Sequence, residues 1–353
     1  MGRMTPVLLH RLPVHQALFT PDSRHLLFVQ VVDPHHRQGP IRLVDLSDPG
    51  QVHELSLEAA EIAVWGEGAD ACLLLLQLEP ERVGVVRWPS LEPAGHLPIE
   101  QAGMRHWGDR HLLAGPDYVA WANRNELALV RAAPPAGAPQ RVQVVAEAKH
   151  TSAPGPTHAV SLATDDKGQR FLAGTPGGGM SLLFAPSGEH RHLDVSLPGG
   201  HPFGHALSPC GTLAVVCSRK LQFVQTGSSE MLGTLPSRGG KGANKWAACF
   251  LPDSTYVLGT QNGSWWAVDT EDGRVVEAPF LPSSSTGPNQ HAGNGQLAVS
   301  PDRRLLALGS HQNLAVLECA ALVAALSGAP TADRWVLTEE DRAHNRDWRR
   351  RHQ

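Results

Sequence analysis

The sequence has no long hydrophobic run. The longest, CLLLLQL at 72–78 and AALVAAL at 320–326, are far shorter than the roughly 18 residues that a membrane-spanning helix needs. The N-terminal residues contain no apolar core of the length that a secretory signal requires, and Pro6 stands where myristoylation requires Ser or Thr. These absences predict a cytoplasmic protein without a membrane partner.

Cysteine is also scarce. The 353 residues include 5 cysteines, and no two of them have the C-x-x-C spacing that is typical of zinc sites and thioredoxin-like redox sites. An odd number of scattered cysteines fits a reducing compartment. The sequence therefore predicts no zinc site and no disulfide framework among Cys72, Cys210, Cys217, Cys249 and Cys319.

Charge is low as well. Charged residues make up 18% of the chain, and its formal net charge is -4. A balance of this kind produces no overall field that favours nucleic acid or an anionic membrane, so we expect neither as a partner. Lysine is rare beside arginine, and alanine is common. This composition is typical of a GC-rich coding sequence and favours a bacterial protein.

Turn-forming residues, by contrast, are abundant, with 35 glycines and 28 prolines. An apolar run, a turn that often contains Pro-Asp, and a second apolar run recur along the chain. The clearest copies are ALFTPDSRHLLFVQ (17–30), HALSPCGTLAVVCS (205–218), ACFLPDSTYVLGTQ (248–261) and LAVSPDRRLLALGS (297–310). Weaker copies cover 63–77, 111–123 and 161–174.

These copies have a steady period. Aligned on the proline or its equivalent, they are 43 to 49 residues apart, with anchors at Pro21, Glu67, Pro116, Thr164, Pro209, Pro252 and Pro301. Proline fixes φ at the first corner of a tight turn, so the apolar runs on both sides are expected to be strands. A third strand, such as IRLVDL at 41–46, and a more polar fourth follow in most units. The period and the strand count match one four-stranded propeller blade.

The turn, which is close to F-S-P-D-G, and the third strand IRLVD at 41–45 resemble the WD40 and related YVTN-type β-propellers. The resemblance extends from about residue 14 to residue 318. It implies an all-β fold, a seven-bladed β-propeller of four-stranded antiparallel blades. One domain is expected over 1–330, followed by a C-terminal extension at 331–353 that is helical or partly disordered.

The signature residues of WD40 repeats are mostly missing. No unit ends its third strand in Trp-Asp, and Gly-His precedes a first strand convincingly only at Gly200-His201. The buried His/Ser/Asp/Trp hydrogen-bond network of WD40 blades is therefore expected to be absent. The resemblance indicates a WD40-like propeller and not a standard WD40 protein.

A ring of blades must close without leaving an exposed strand edge. The segment TPVLLHRL at 5–12 has no unit of its own, and it resembles the N-terminal strand that completes the last blade in such rings. The segment DRWVLT at 333–338 is an alternative, although the N-terminal strand is favoured. After the third strand of the last unit, CAALVAALSG at 319–328 is compatible with a short helix.

The sequence shows no constellation that indicates catalysis. His35 and His36 with Asp33 lack a third ligand fixed by spacing, which a metal site demands. No G-x-S-x-G nucleophile motif occurs, and the glycine-rich segment 237–246 lacks the order of a phosphate-binding P-loop. We therefore expect no catalytic residue, no bound metal and no cofactor.

The resemblance to β-propellers implies that the residues six positions before each anchor lie at the mouth of the central channel. They are His15, Glu61, Arg110, His158, Phe203, Trp246 and Gly295. A mixture of His, Arg, Phe and Trp is typical of protein-binding hot spots. The candidate partner-binding residues are Arg110, His158, Phe203 and Trp246, joined by Arg238, Lys241 and Lys245 of the long loop before Trp246.

The sequence thus predicts a non-catalytic protein–protein interaction scaffold, a subunit of a bacterial cytoplasmic complex. Loosely WD40-like bacterial propellers sometimes accompany AAA+ ATPases, so the resemblance implies an ATPase-containing complex as a candidate partner. The alternative is a propeller enzyme, lactonase-like or quinoprotein-like, with its site at the channel mouth. WWAVDTEDGRVV at 265–276 resembles a quinoprotein blade motif, but it occurs once.

Overall fold

The structure, a computed structural model, describes residues 6–30, 38–78, 81–97, 112–122, 126–131, 143–149, 162–174, 180–193, 204–217, 220–236, 246–252, 256–261, 264–279, 281, 297–309 and 313–334. These residues form 29 β-strands, one short 3-10 helix and one α-helix. Neighbouring strands pair antiparallel in seven sheets, six with four strands and one with five.

Strand β1 (Leu8–His10) precedes the first sheet. The first sheet contains β2 (Val14–Phe19), β3 (His25–Gln30), β4 (Gly39–Asp45) and β5 (His53–Ala59). The second contains β6 (Glu61–Trp65), β7 (Cys72–Leu78), β8 (Glu81–Arg87) and β9 (Pro93–Leu97), with the 3-10 helix Gly68–Asp70 between β6 and β7. The third contains β10 (Leu112–Ala114), β11 (Tyr118–Ala122), β12 (Glu126–Arg131) and β13 (Gln143–Lys149).

The remaining sheets follow in chain order. The fourth contains β14 (Leu162–Thr164), β15 (Arg170–Gly174), β16 (Met180–Phe184) and β17 (Glu189–Leu193). The fifth contains β18 (Gly204–Leu207), β19 (Leu213–Cys217), β20 (Lys220–Gln225) and β21 (Met231–Pro236). The sixth begins with β22 (Trp246–Phe250), β23 (Tyr256–Gln261), β24 (Ser264–Asp269) and β25 (Arg274–Glu277). The seventh contains β26 (Leu297–Val299), β27 (Leu305–Gly309) and β28 (Leu314–Glu318), together with β1.

The sheets are arranged in a ring around their first strands. Each first strand contacts the first strand of the next sheet, in the order β2, β6, β10, β14, β18, β22 and β26, and β26 contacts β2. Seven hydrophobic clusters fill the spaces between neighbouring sheets, one for each pair around the ring. The predicted β-propeller arrangement of four-stranded antiparallel sheets is confirmed. The first strands line its central channel.

The two ends of the ring meet in the seventh sheet. Strand β1 pairs antiparallel with β28, with Leu8 opposite Val316 and Leu9 opposite Ala315. Leu8 is buried in the cluster between the first and seventh sheets, whereas Leu9, on the other face of the strand, is 52% exposed. The N-terminal strand therefore occupies the outer edge of the last sheet, and its apolar side points into the core.

The C-terminal part of the described chain differs from the prediction for 331–353. The α-helix α1 (Cys319–Ser327) follows β28, but residues 331–334 form a strand, β29 (Thr331–Arg334), instead of a helix. Strand β29 pairs with β25 and is the fifth strand of the sixth sheet. The reason is the path of the chain: α1 packs on the sixth and seventh sheets, and residues 331–334 follow it beside the edge of β25 that β24 does not occupy.

Polar contacts fasten this segment to the sixth sheet. The Arg274 guanidinium donates to the carbonyl oxygens of Ser327 and Ala329, each at 3.3 Å, and to the Tyr256 hydroxyl at 2.7 Å. Leu322 and Leu326 of α1 are fully buried in the cluster between the sixth and seventh sheets. Residues 335–353, which include most of the alternative closing segment, lie outside the described residues.

Candidate functional site

Most of the predicted partner-binding residues lie outside the described residues. These are Arg110, His158, Phe203, Arg238, Lys241 and Lys245. Trp246 is the first residue of β22, where it pairs with Gln261 of β23. Because β22 is one of the channel-lining strands, Trp246 stands at the end of the channel where these strands begin.

Two further residues at this level are described, His15 and Glu61. Glu61 is the first residue of β6, and its side chain is buried. Its Oε2 accepts a hydrogen bond of 3.0 Å from the Leu112 backbone N–H at the start of β10. Glu61 therefore joins the second sheet to the third. This is a structural role that the sequence position alone does not reveal.

Other polar side chains link neighbouring sheets around the channel in the same way. The buried Gln16 amide donates to the Ile62 carbonyl at 2.8 Å and accepts from the Ile62 N–H at 2.6 Å. His205 of β18 lies with Nε2 3.2 Å from the Leu172 carbonyl of β15. Buried polar groups that are paired in this way add directional contacts to the apolar interfaces. They favour a rigid ring.

The turns between first and second strands gather at the opposite end of the channel, the turn end. In three of them a hydroxyl oxygen accepts the backbone N–H of the first residue of the second strand. The pairs are Thr20 with His25 at 3.1 Å, Ser208 with Leu213 at 3.0 Å and Ser300 with Leu305 at 2.9 Å. The repeat pattern has a Ser or Thr directly before the proline, and the sequence alone does not explain why. The structure shows that its hydroxyl closes the turn.

The turn of the fourth sheet, between β14 and β15, shows that one predicted anchor, Thr164, is misplaced. Asp165 occupies the place of Thr20, and its Oδ1 accepts the N–H groups of Gln169 at 2.8 Å and Arg170 at 3.2 Å. The equivalent of the turn proline is therefore Asp166, two residues after Thr164. Six positions before Asp166 stands Val160, so His158 loses the positional argument that placed it at the channel mouth.

The same turns share one strained backbone position. Ser23 (φ 57°), Gly168 (φ 59°), Gly211 (φ 71°) and Arg303 (φ 62°) all lie in the left-handed region. Glycine adopts this region without a steric penalty, whereas Ser and Arg do so at a cost. The repeat therefore demands this backbone conformation in every one of the four turns, whichever residue the sequence supplies.

Neighbouring turns also contact one another at the turn end. The Asp166 N–H donates to the Pro209 carbonyl at 3.1 Å, and the Asp302 N–H donates to the Ser23 hydroxyl at 3.0 Å. Gly115 and Gly168 are so close that a Cβ on Gly115 would lie 2.5 Å from the Gly168 Cα. Turns of adjacent sheets are consequently held together by backbone groups.

Burial raises the pKa of Asp165, although the two backbone donors and nearby cations act in the opposite direction. A raised pKa means that the charged form is disfavoured in the fold. The protonated carboxyl therefore contributes stability to the fold. That contribution is fully present below the ordinary pKa of aspartate and is lost as the pH rises through the raised pKa.

We therefore expect Asp165→Asn, which keeps an oxygen acceptor for both N–H groups, to be more stable than the parent at pH 7. The difference in the free energy of unfolding should shrink as the pH falls towards 3. Urea unfolding of both proteins from pH 3 to pH 7 measures it. A variant that is less stable at pH 7, with a deficit that grows with pH, would show that the carboxylate charge is favourable at this site.

Two of the described cysteines have raised pKa values. Burial raises the pKa of the Cys249 thiol to about 12 and also raises the pKa of Cys72, so both are poor nucleophiles near neutral pH. Over the described ranges, no group of three or more His, Cys, Asp or Glu side chains is placed to hold a metal ion. Among the described helices, none is long and apolar enough to cross a membrane.

Comparison with known proteins identifies the fold. No protein-family model matches the sequence, and no curated protein matches it. Among solved structures, a chain in the "Crystal Structure of Mitotic Checkpoint Complex" is similar, with a TM-score of 0.63 and 13% sequence identity. The match covers 90% of this chain and 96% of that chain. Since 1624 solved chains match in all, the likeness shows a widely used propeller fold and not a particular activity.

Proposed function

We propose that this protein is a non-catalytic protein-interaction scaffold, a WD40-like propeller in which the seven sheets are the seven blades of one ring. The observation that carries the proposal is the similarity, over nearly the whole of both chains, to a component of a protein complex. The closed succession of first strands and the seven inter-sheet clusters support the seven-bladed form.

A ring of this construction suits binding. Buried side chains such as Gln16 and Glu61 link neighbouring sheets at the channel. The ends of the strands are therefore held in fixed positions, and so are the points where the loops begin. A preorganised surface loses little conformational entropy when a partner binds. Binding residues are commonly carried on loops of such rigid scaffolds.

We place the partner-binding surface at the end of the channel where β22 begins, with Trp246 and Arg110 as its principal contacts. Trp and Arg are the residue types most enriched among hot spots. Phe203 and the basic loop residues Arg238, Lys241 and Lys245 extend this surface. His158 is a weaker candidate because the corrected fourth anchor shifts its position. The partner is a protein in a cytoplasmic, ATPase-containing complex, and neither nucleic acid nor a cofactor is required.

Replacing Trp246 and Arg110 together with alanine should weaken capture of the partner at least roughly tenfold, because hot-spot truncations typically cost about 2 kcal/mol or more. The tagged full chain and the double variant are used as baits in a lysate of the source organism, and captured proteins are quantified by mass spectrometry. Equal circular dichroism spectra and melting temperatures establish that the variant keeps its fold.

The matched control is Arg304→Ala, which removes an exposed arginine at the turn end of the channel. Asp302 is unsuitable, because its carboxylate accepts hydrogen bonds from the Ser300 hydroxyl at 2.6 Å and from the Arg304 N–H at 3.1 Å. If Arg304→Ala and the double variant capture the same proteins in equal amounts, the binding surface lies elsewhere. Turnover of a small-molecule substrate by the purified chain would favour the enzymatic alternative.

A further inference from the structure

One ion pair at the turn end joins two turns that are far apart in the ring. The Arg303 guanidinium, in the turn between β26 and β27, lies 2.6 Å from the Asp166 carboxylate, in the turn between β14 and β15. Around the ring, the fourth and seventh sheets are separated by two sheets on one side and three on the other. The pair therefore spans the channel instead of following its wall.

Each end of this ion pair is tied to a neighbouring sheet. Asp166 donates its N–H to Pro209 of the fifth sheet, and the adjoining Gly168 packs against Gly115 of the third. On the other side, the Asp302 N–H next to Arg303 donates to the Ser23 hydroxyl of the first sheet. Turns of the third, fourth and fifth sheets thus form one group, and turns of the seventh and first form another.

The backbone at Arg303 supports a specific role for its side chain. Arg303 occupies the left-handed position that glycine fills in the fourth and fifth turns. A glycine there would relieve the strain but could not reach across the channel. The arginine therefore accepts an unfavourable backbone conformation and makes a contact that only a long cationic side chain can make.

We propose that Arg303 and Asp166 form a clasp that couples the two groups of turns across the turn end of the channel. Because both side chains are partly exposed, at 56% and 40%, dissolved salt screens their attraction. The clasp is thus a weak, salt-sensitive link between two groups of turns that are otherwise connected only around the wall of the ring. It does not depend on the proposed function.

Hydrogen–deuterium exchange of the full chain tests this coupling. In each of the variants Arg303→Ala and Asp166→Asn, the peptide 162–170 and the peptide 297–305 should both exchange about twofold to fivefold faster than in the parent. This factor corresponds to the free energy that a partly exposed ion pair contributes. The double variant should exchange no faster than either single variant. Addition of 0.5 M sodium chloride should accelerate exchange in the parent but not in the variants.

Two controls make the test specific. Arg304→Ala removes the adjacent arginine and should leave exchange at 162–170 unchanged. The charge-swapped variant Asp166→Arg with Arg303→Asp should restore slow exchange in both peptides. If each single variant affects only its own turn, or if Arg304→Ala has the same distant effect, the pair is a local surface contact and the clasp does not exist.

Discussion

Leu8→Ala should lower the free energy of unfolding by about 2–5 kcal/mol, the usual cost of truncating a buried leucine. Leu8 lies on β1, which pairs with β28 of the seventh sheet, and it is 4% exposed between the first and seventh sheets. The cavity would form at the seam of the ring, where β1 is held by one neighbouring strand. Urea or thermal unfolding followed by circular dichroism measures the loss.

Leu9→Ala is a control matched in residue type, strand and backbone environment. Leu9 is the next residue on β1, and its side chain is 52% exposed. Its truncation should change stability by no more than about 0.5 kcal/mol. Equal effects of the two substitutions would mean that β1 does not pack in the observed register, and removal of residues 5–12 without a change in melting temperature would mean that another segment closes the ring.

The second large effect is expected in α1. Leu322 and Leu326 are fully buried together with Leu306 and Trp265 of the two last sheets. Replacement of either leucine with alanine should cost about 2–5 kcal/mol. The double replacement should also release β29 from the edge of β25, since α1 positions the chain that leads to it. Hydrogen exchange at 331–334 and the free energy of unfolding report the two consequences.

Val323→Ala serves as the comparison within the same helix. Val323 is only half-buried, and its truncation removes less apolar contact area, so a loss of about 1 kcal/mol or less is expected. If the Leu322 and Leu326 variants are as stable as the Val323 variant, α1 does not pack tightly against the two last sheets. The helix would then contribute nothing to the interface between the sixth and seventh sheets.

The regular part of the fold was predictable because turn chemistry and hydrophobic runs are local signals. The Ser/Thr-Pro-Asp pattern at residues 20–22 and 300–302 identifies the turn, and the strands on both sides follow from it. The prediction was wrong where another residue replaces that pattern. At Asp165 a carboxylate does the work of the hydroxyl, and the anchor was therefore placed two residues too early.

The fate of residues 331–334 could not be predicted from local sequence. Thr-Ala-Asp-Arg has no alternating apolar pattern. It forms a strand because α1 places it beside β25, where its backbone groups pair with those of β25. Contacts between distant units pose the same difficulty. Nothing near Arg303 in the sequence indicates Asp166, and nothing near Gln16 indicates Ile62, because each pairing depends on the ring geometry.

The pairing of β1 with β28 also sets a condition on biosynthesis. Leu8 leaves the ribosome early, but its partner Val316 is made about 300 residues later. At typical rates of 5–20 residues per second, this interval is roughly 15–60 s. During that time the nascent chain carries an unpaired apolar strand, and the first sheet lacks its neighbour from the seventh. Chaperones or transient pairing with another nascent strand would compete for this segment, so slow translation of the last unit should increase aggregation.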